Sequence, residues 1–308
     1  MFKMIPSKRL ARKSLSAVLA MALLLPTTAF GASSTPLMTY KQVLQDTKDH
    51  WAGATVQDWY DNGLVNGFGD GTFRPNAAIS RADLVVLLNN VFNLQHTGDA
   101  SFSDVSATAY YGAAVNKAVA AGIVEGYADG TFRPTKLVTR EEAAVMLFRA
   151  FQLSAAAGET SIADLNELHS WSKDAVLSML DAGYIKGYTN GTFGGARSIT
   201  RAEAVTLLDR IAGNVFHAGG EYKGVTKSNV VINTGGVTLK DAVIEGNLYI
   251  TEGVGEGDVK LENVTVKGEA HINGGGENTV TVTDSTIKAI YVDKKNGKIR
   301  ILTTGSTN

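Results

Sequence analysis

The chain has no cysteine, so neither a disulfide framework nor a lipid-bearing cysteine behind a leader is available, and the fold must rest on packing alone. It also lacks an excess of positive charge: 29 Lys and Arg stand against 30 Asp and Glu, for a formal net charge of −1. Without residues 1–32, which hold five cations and no acid, the charge becomes −6. Nucleic acid is therefore not the expected partner, because phosphate binding wants a basic face, and an anionic ligand would have to be held by local cations. The five histidines (His50, His96, His169, His217, His271) are scattered, with neither a Ser-His-Asp arrangement nor zinc spacing. No catalytic residue, metal or cofactor is expected. Past the first 32 residues no apolar run approaches the roughly 20 residues needed to span a bilayer.

At the N-terminus, Lys3, Lys8, Arg9, Arg12 and Lys13 precede an apolar run from Leu15 to Leu25 and small residues around Ala29 to Ala32. This is the three-part layout of a secretory signal peptide. Its apolar run is too short for a membrane anchor, so residues 1–32 predict export with cleavage near Ala29 to Ala32. The remainder is long enough for two domains at roughly 150 residues each.

Repetition is the main positive signal. Asn62-Gly63-Leu64-Val65-Asn66-Gly67 returns around Gly122 and again around Gly183, at nearly equal intervals. The same offsets recover Asp70-Gly71-Thr72-Phe73, Asp129-Gly130-Thr131-Phe132 and Asn190-Gly191-Thr192-Phe193, then Ser80-Arg81-Ala82-Asp83, Thr139-Arg140-Glu141-Glu142 and Thr200-Arg201-Ala202-Glu203. Each unit reads as helix, loop, helix. The first helix follows an aromatic (Trp51, Tyr110 with Tyr111, Trp171) and ends at a capping glycine. The second carries an apolar stripe: Leu84, Leu87, Leu88 and Val91; Ala143, Met146, Leu147 and Ala150; Ala204, Leu207, Leu208 and Ile211. One short unit cannot cover its own stripe, so the three should pack stripe to stripe in one bundle. The expected repeats span 44–100, 101–160 and 161–216.

From 219 to 308 the helical period gives way to short β-rich runs. Val237-Thr238-Leu239, Val259-Lys260-Leu261 and Val280-Thr281-Val282 recur at a nearly constant, much shorter interval, each trailed by an Asp or Asn corner (Asp241, Asn263, Asp284). Alternating pairs follow, among them Leu248 with Ile250 and Ile290 with Val292. Three short strands per turn suit an all-β parallel solenoid, making the chain a multidomain α plus β protein. Tyr249, His271 and Tyr291 form an outward column, a stacking ladder or a strip for glycan.

In each tetrad the hydroxyl and the acid three residues on form a capping box. A cation in the first turn opposes the helix dipole, yet it occurs in all three copies. Arg81, Arg140 and Arg201 beside free helix-start N–H groups would receive a carboxylate or phosphate; the alternative is a structural ion pair between repeats. The loops at Asp70-Gly71, Asp129-Gly130 and Asn190-Gly191 have too few oxygens for calcium and read as tight turns that expose polar groups to a neighbouring groove. Trp51 and Trp171 are packing anchors or sugar-stacking platforms.

These residues carry a resemblance. Asp49-His50-Trp51-Ala52, the loop from Gly67 to Pro75 and the Thr-Arg-Ala-Glu type helix starts resemble S-layer-homology domains over roughly residues 44 to 215. The resemblance implies a pseudo-threefold bundle whose inter-repeat grooves bind acidic secondary cell-wall polysaccharide, often with pyruvylated N-acetylmannosamine, on a Gram-positive-type surface. It assigns the acidic sugar to Arg81, Arg140 and Arg201, with polar and stacking contacts from the Asp-Gly or Asn-Gly turns and the lead-in tryptophans. The third loop departs from the pattern, with Gly194-Gly195 where the others have Arg74-Pro75 and Arg133-Pro134. The expected function is non-enzymatic wall anchoring, with or without self-association in a surface lattice. The competing reading is a wall-bound polysaccharide lyase or hydrolase working on the solenoid, which rests on fold analogy alone.

Overall fold

The computed structural model describes residues 43–155, 160–226, 228–277 and 280–308; the leader expected at 1–32 lies outside them. Six helices come in pairs: α1 (Gly53–Asp61) with α2 (Arg81–Phe92), α3 (Gly112–Ala120) with α4 (Arg140–Ala150), and α5 (Lys173–Asp181) with α6 (Arg201–Ala212). Each first helix stops where a glycine follows, and Gly63, Gly122 and Gly183 take φ of 70°, 72° and 71°, a left-handed conformation that L side chains resist. Each second helix starts on a hydroxyl, since Ser80, Thr139 and Thr200 accept from the N–H three residues on, and Glu142 and Glu203 complete true capping boxes. Every residue of the three expected stripes is buried.

The second helix of each repeat packs on the first helix of the next: α2 on α3, α4 on α5, and α6 back on α1. The ring closes around three backbone bonds. The Ile79 N–H donates to Ile199, that of Ile199 to Val138 and that of Val138 to Ile79, each at 3.0 Å. These three side chains are fully buried, so the bundle has the pseudo-threefold axis that the resemblance implied.

The solenoid follows as β1 (Asn214–Phe216), β2 (Gly220–Thr226), β3 (Val230–Ile232), β4 (Val237–Ile244), β5 (Leu248–Ile250), β6 (Val259–Ile272), β7 (Val280–Thr283), β8 (Thr286–Val292) and β9 (Ile301–Thr304). Pairing is parallel throughout, with Val237 opposite Val259, Val259 opposite Val280 and Val280 opposite Ile301. Asp241, Asn263 and Asp284 turn the corners at φ of 47°, 54° and 47°, a region Asp and Asn tolerate better than other side chains. Ile290 and Val292, read as one of the alternating pairs, are 39% and 48% exposed because β8 pairs only with β6 among the described strands.

Bundle and solenoid belong to one compact unit, and the seam is built on helix ends. The last carbonyls of a helix lack partners within it, and the solenoid supplies them. Asn233 Nδ2 donates to Val91 O at 2.8 Å, the Tyr249 hydroxyl to Phe151 O at 2.9 Å, and Asn229 Nδ2 to Ile211 O at 2.6 Å. The column expected to face outward therefore faces the bundle in part: Tyr249 and His271 are buried and only Tyr291 is exposed.

Candidate functional site

Each tetrad arginine leaves its own repeat and enters the loop of the next one. Arg140 donates from Nε to Phe193 O at 2.9 Å and from Nη2 to Lys186 O at 2.9 Å; Arg201 does the same to Phe73 O at 2.9 Å and Asn66 O at 3.2 Å. Arg81 donates to Glu125 O at 2.6 Å, with its Nε buried and unpartnered. Each guanidinium also lies against two rings: Tyr127 and Phe132 for Arg81, Tyr188 and Phe193 for Arg140, Phe68 and Phe73 for Arg201, at 4.6 to 5.4 Å. Burial pushes the Arg81 and Arg201 pKa values down.

The helix-start N–H groups expected to be free are engaged. Those of Arg81 and Ala82 donate to Lys136 O and Pro134 O, those of Arg140 and Glu141 to Arg197 O and Gly195 O, and those of Arg201 and Ala202 to Ala77 O and Pro75 O. An incoming anion thus meets guanidinium nitrogens without a helix terminus behind them. The tetrad arginines reach the next repeat through carbonyls and rings; of the three, Arg201 alone has a carboxylate within 4.0 Å among the described residues, Asp83 at 3.9 Å.

The loop acids close their own turns. Asp70 accepts from the Thr72 N–H and hydroxyl and from Arg74, and Asp129 accepts likewise from Thr131 and Arg133. These bonds hold both carboxyls down at about 2. Asn190 accepts from Thr192 in the same way, and Gly71, Gly130 and Gly191 take φ of 81°, 76° and 80°. Two residues on from each Thr, Arg74 and Arg133 have φ of 59° and 57°, and Gly194 has 68°. The departure in the third loop thus puts glycine where the backbone favours it.

The sequence reading missed a second set of acids. Asp46 accepts from the N–H groups of Phe73 and Arg74, Asp104 from Phe132 and Arg133, and Asp164 from Phe193 and Gly194, all at 2.7 to 2.8 Å. They recur at close to the same interval as the tetrad arginines, and that periodicity was the signal that could have found them.

The packing role considered for Trp51 and Trp171 does not fit, since they are 66% and 53% exposed. Trp171 borders a cleft of about 260 Å³ with Arg81, Tyr127, Glu142 and Arg149. Trp51 borders one of about 160 Å³ with Arg140, Lys186, Glu203 and Arg210. Tyr110 holds the corresponding place in the second repeat, and its hydroxyl donates to Asp83 at 2.7 Å. Each cleft takes an arginine from one repeat, its floor from the next and its aromatic from the one after.

The family model described as "S-layer homology domain" matches residues 45–85, 101–144 and 161–205. The chain carries three S-layer homology domains. Its relatives include the surface-layer 125 kDa protein of Lysinibacillus sphaericus, 34% identical over 54% of this chain and 14% of that one. The S-layer protein of Bacillus licheniformis is 28% identical over 80% of this chain and 29% of that protein. An amylopullulanase of Thermoanaerobacterium thermosulfurigenes is 29% identical over 55% of this chain and 9% of its own length, and the match lies in the S-layer homology region. The chain therefore spans less than a third of each of these relatives. Three S-layer homology domains and surface-layer relatives mark a cell-surface, wall-associated protein. Among the described residues no helix is long and apolar enough to cross a membrane, and no group of three His, Asp or Glu is placed to hold a metal.

Proposed function

We propose that the S-layer homology domains hold the chain non-covalently to the wall by taking up an acidic secondary cell-wall polysaccharide, with pyruvylated N-acetylmannosamine as its acidic sugar. The observation that carries this reading is the pairing, in two clefts, of an exposed tryptophan with a buried arginine: Trp171 with Arg81 and Trp51 with Arg140. An indole face suits a sugar ring, and a guanidinium supplies the charge that a carboxylate needs. The turns at Asp70-Gly71, Asp129-Gly130 and Asn190-Gly191 serve by shaping the loops that floor the clefts. Two clefts engaging one polymer network would raise the apparent affinity by roughly a hundredfold. In this reading the chain is exported and non-catalytic. The match to the B. licheniformis S-layer protein is too long to end at the third helical repeat, which favours a place in a surface layer for the solenoid too.

The test is sedimentation of the full chain with purified Gram-positive walls, intact or stripped of secondary polymer. The double variant Trp51→Ala, Trp171→Ala changes only exposed side chains, so it should stay folded while losing tenfold or more in wall binding. The triple change of Arg81, Arg140 and Arg201 to Gln, checked for folding by circular dichroism, should lose it altogether. Wall binding that survives both stripping and substitution would overturn the proposal and turn attention to the solenoid.

A further inference from the structure

We infer that the three clefts are unequal. Those built on Arg81 and Arg140 take up the anionic sugar with Arg149 and Arg210 as second cations, while the cleft around Arg201 is closed by its own chain. This rests on the anchoring reading and deepens it.

Three repeat-equivalent positions show the difference. Seven residues after the capping acids Glu142 and Glu203 stand Arg149 and Arg210; seven after Asp83 stands Asn90. Asn90 Nδ2 donates to Leu64 O at 3.0 Å, the bond that Arg210 Nη1 makes to the equivalent Tyr184 O at 2.9 Å. Asn90 thus keeps the structural contact and drops the charge. The position of Ala77 beside the Arg201 cleft is Lys136 and Arg197 in the other two repeats, and that of Asn66 is Glu125 and Lys186. Lys136 shares the Tyr127 ring with Arg81, and Arg197 shares the Tyr188 ring with Arg140.

The acid at the Arg201 cleft also behaves differently. Asp83 is one methylene shorter than Glu142 or Glu203 and does not reach back to its N-cap backbone. It accepts instead from the Ser80 hydroxyl at 2.8 Å and the Tyr110 hydroxyl at 2.7 Å, and lies 3.9 Å from Arg201. Arg201 therefore already has its carboxylate, and the aromatic that would receive a sugar is tied to that carboxylate. Burial and the Asp83 bond raise the Tyr110 hydroxyl to about 12, so the tie persists across the physiological range. Arg81 and Arg140 themselves have no carboxylate within 4.0 Å among the described residues, and the buried Arg81 Nε has no partner. Arg149 is paired with Glu125 at 2.9 Å, but that carboxylate is 75% exposed, so an incoming carboxylate can take its place on Arg149.

The experiment compares full-chain variants in sedimentation with purified Gram-positive walls, each checked for an unchanged melting temperature. Arg149→Gln and Arg210→Gln should each weaken wall binding about tenfold and together lower it a hundredfold or more. Tyr110→Phe should leave it unchanged, and Asp83→Glu combined with Asn90→Arg should strengthen it several-fold by opening the third cleft. If the Arg149→Gln, Arg210→Gln double variant binds like the parent, or Tyr110→Phe weakens binding as much as either arginine change, the inference is overturned while wall anchoring stands. A parent chain that does not bind walls at all brings down both.

Discussion

Arg140 places its Nε 2.9 Å from the carbonyl of Phe193, 53 residues further along the chain and in the next repeat. With Nη2 on Lys186 O and two rings against the guanidinium, this arginine locks repeat two onto repeat three from a buried position. Arg140→Ala should cost about 2–4 kcal/mol, because two carbonyls lose a charged donor inside the fold. Arg140→Lys should recover only part of that, since an ammonium cannot make the paired Nε and Nη contacts of a flat guanidinium. Urea unfolding followed by circular dichroism measures both; equal stability of parent and alanine variant would contradict the locking role.

That lock explains which parts of the molecule were legible in the sequence. Helical period and capping hydroxyls act within one unit, so Leu84 to Val91 and Ser80 could be read locally, and the coil period placed the corners at Asp241, Asn263 and Asp284. The destination of the Arg140 side chain depends on which repeat closes on which, and a period does not encode that. For the same reason the helix-start N–H groups looked free, although they are paired with carbonyls of another repeat. Alternation in the solenoid correctly put Tyr249 and His271 on its outer face, but a period of two says nothing about what covers that face. The tryptophans were ambiguous for a related reason: a helix lead-in packs inward or projects outward depending on the neighbouring repeat.

Asp164 is buried and accepts from the N–H groups of Phe193 and Gly194, bonds that hold its carboxyl below the usual range against the opposing effect of burial. Its contribution is present at neutral pH and is lost as the pH falls through its lowered folded-state value. Asp164→Ala should cost about 2–3 kcal/mol at pH 7, and the gap to the parent should narrow in strong acid. Urea midpoints at pH 7 and pH 3 report this; a gap that widens on acidification would refute it.

The Tyr249 hydroxyl caps α4 through Phe151 O, and its ring meets Phe92 and Phe151 edge-on. Tyr249→Phe keeps the ring contacts and leaves a helix-end carbonyl unpaired, so about 1–2 kcal/mol should be lost. Tyr249→Ala also opens a cavity at the seam and should cost about 3–5 kcal/mol. Calorimetry of the alanine variant should resolve bundle and solenoid as separate transitions where the parent shows one.

His271 is stacked between Tyr249 and Tyr291 at 5.1 and 5.4 Å. Burial lowers its pKa from 6.5 despite Glu269 at 3.4 Å. The unfolded chain therefore takes up a proton at a pH where the folded chain does not. Stability from this site is full above about pH 6.5 and declines as the pH drops through that value. His271→Gln should flatten the melting temperature between pH 7.5 and pH 5; a parent whose melting temperature rises on acidification through this window would contradict the assignment.

Asn263 turns its coil at φ 54° and donates from Nδ2 to Asp241 Oδ1 in the coil before it at 2.8 Å. The two contributions separate by substitution. Asn263→Gly keeps access to the left-handed backbone and loses only an exposed side-chain bond, so it should cost no more than about 1 kcal/mol. Asn263→Val loses the same bond and forces a β-branched residue into a conformation that costs L residues about 1–2 kcal/mol, so it should be the less stable of the two by that amount. Urea midpoints decide between them. If valine and glycine unfold together, the corner is held by the stacked coils and the backbone preference at Asn263 has no part in it; the predicted order, glycine above valine, would place the turn of each coil in the residue that makes it.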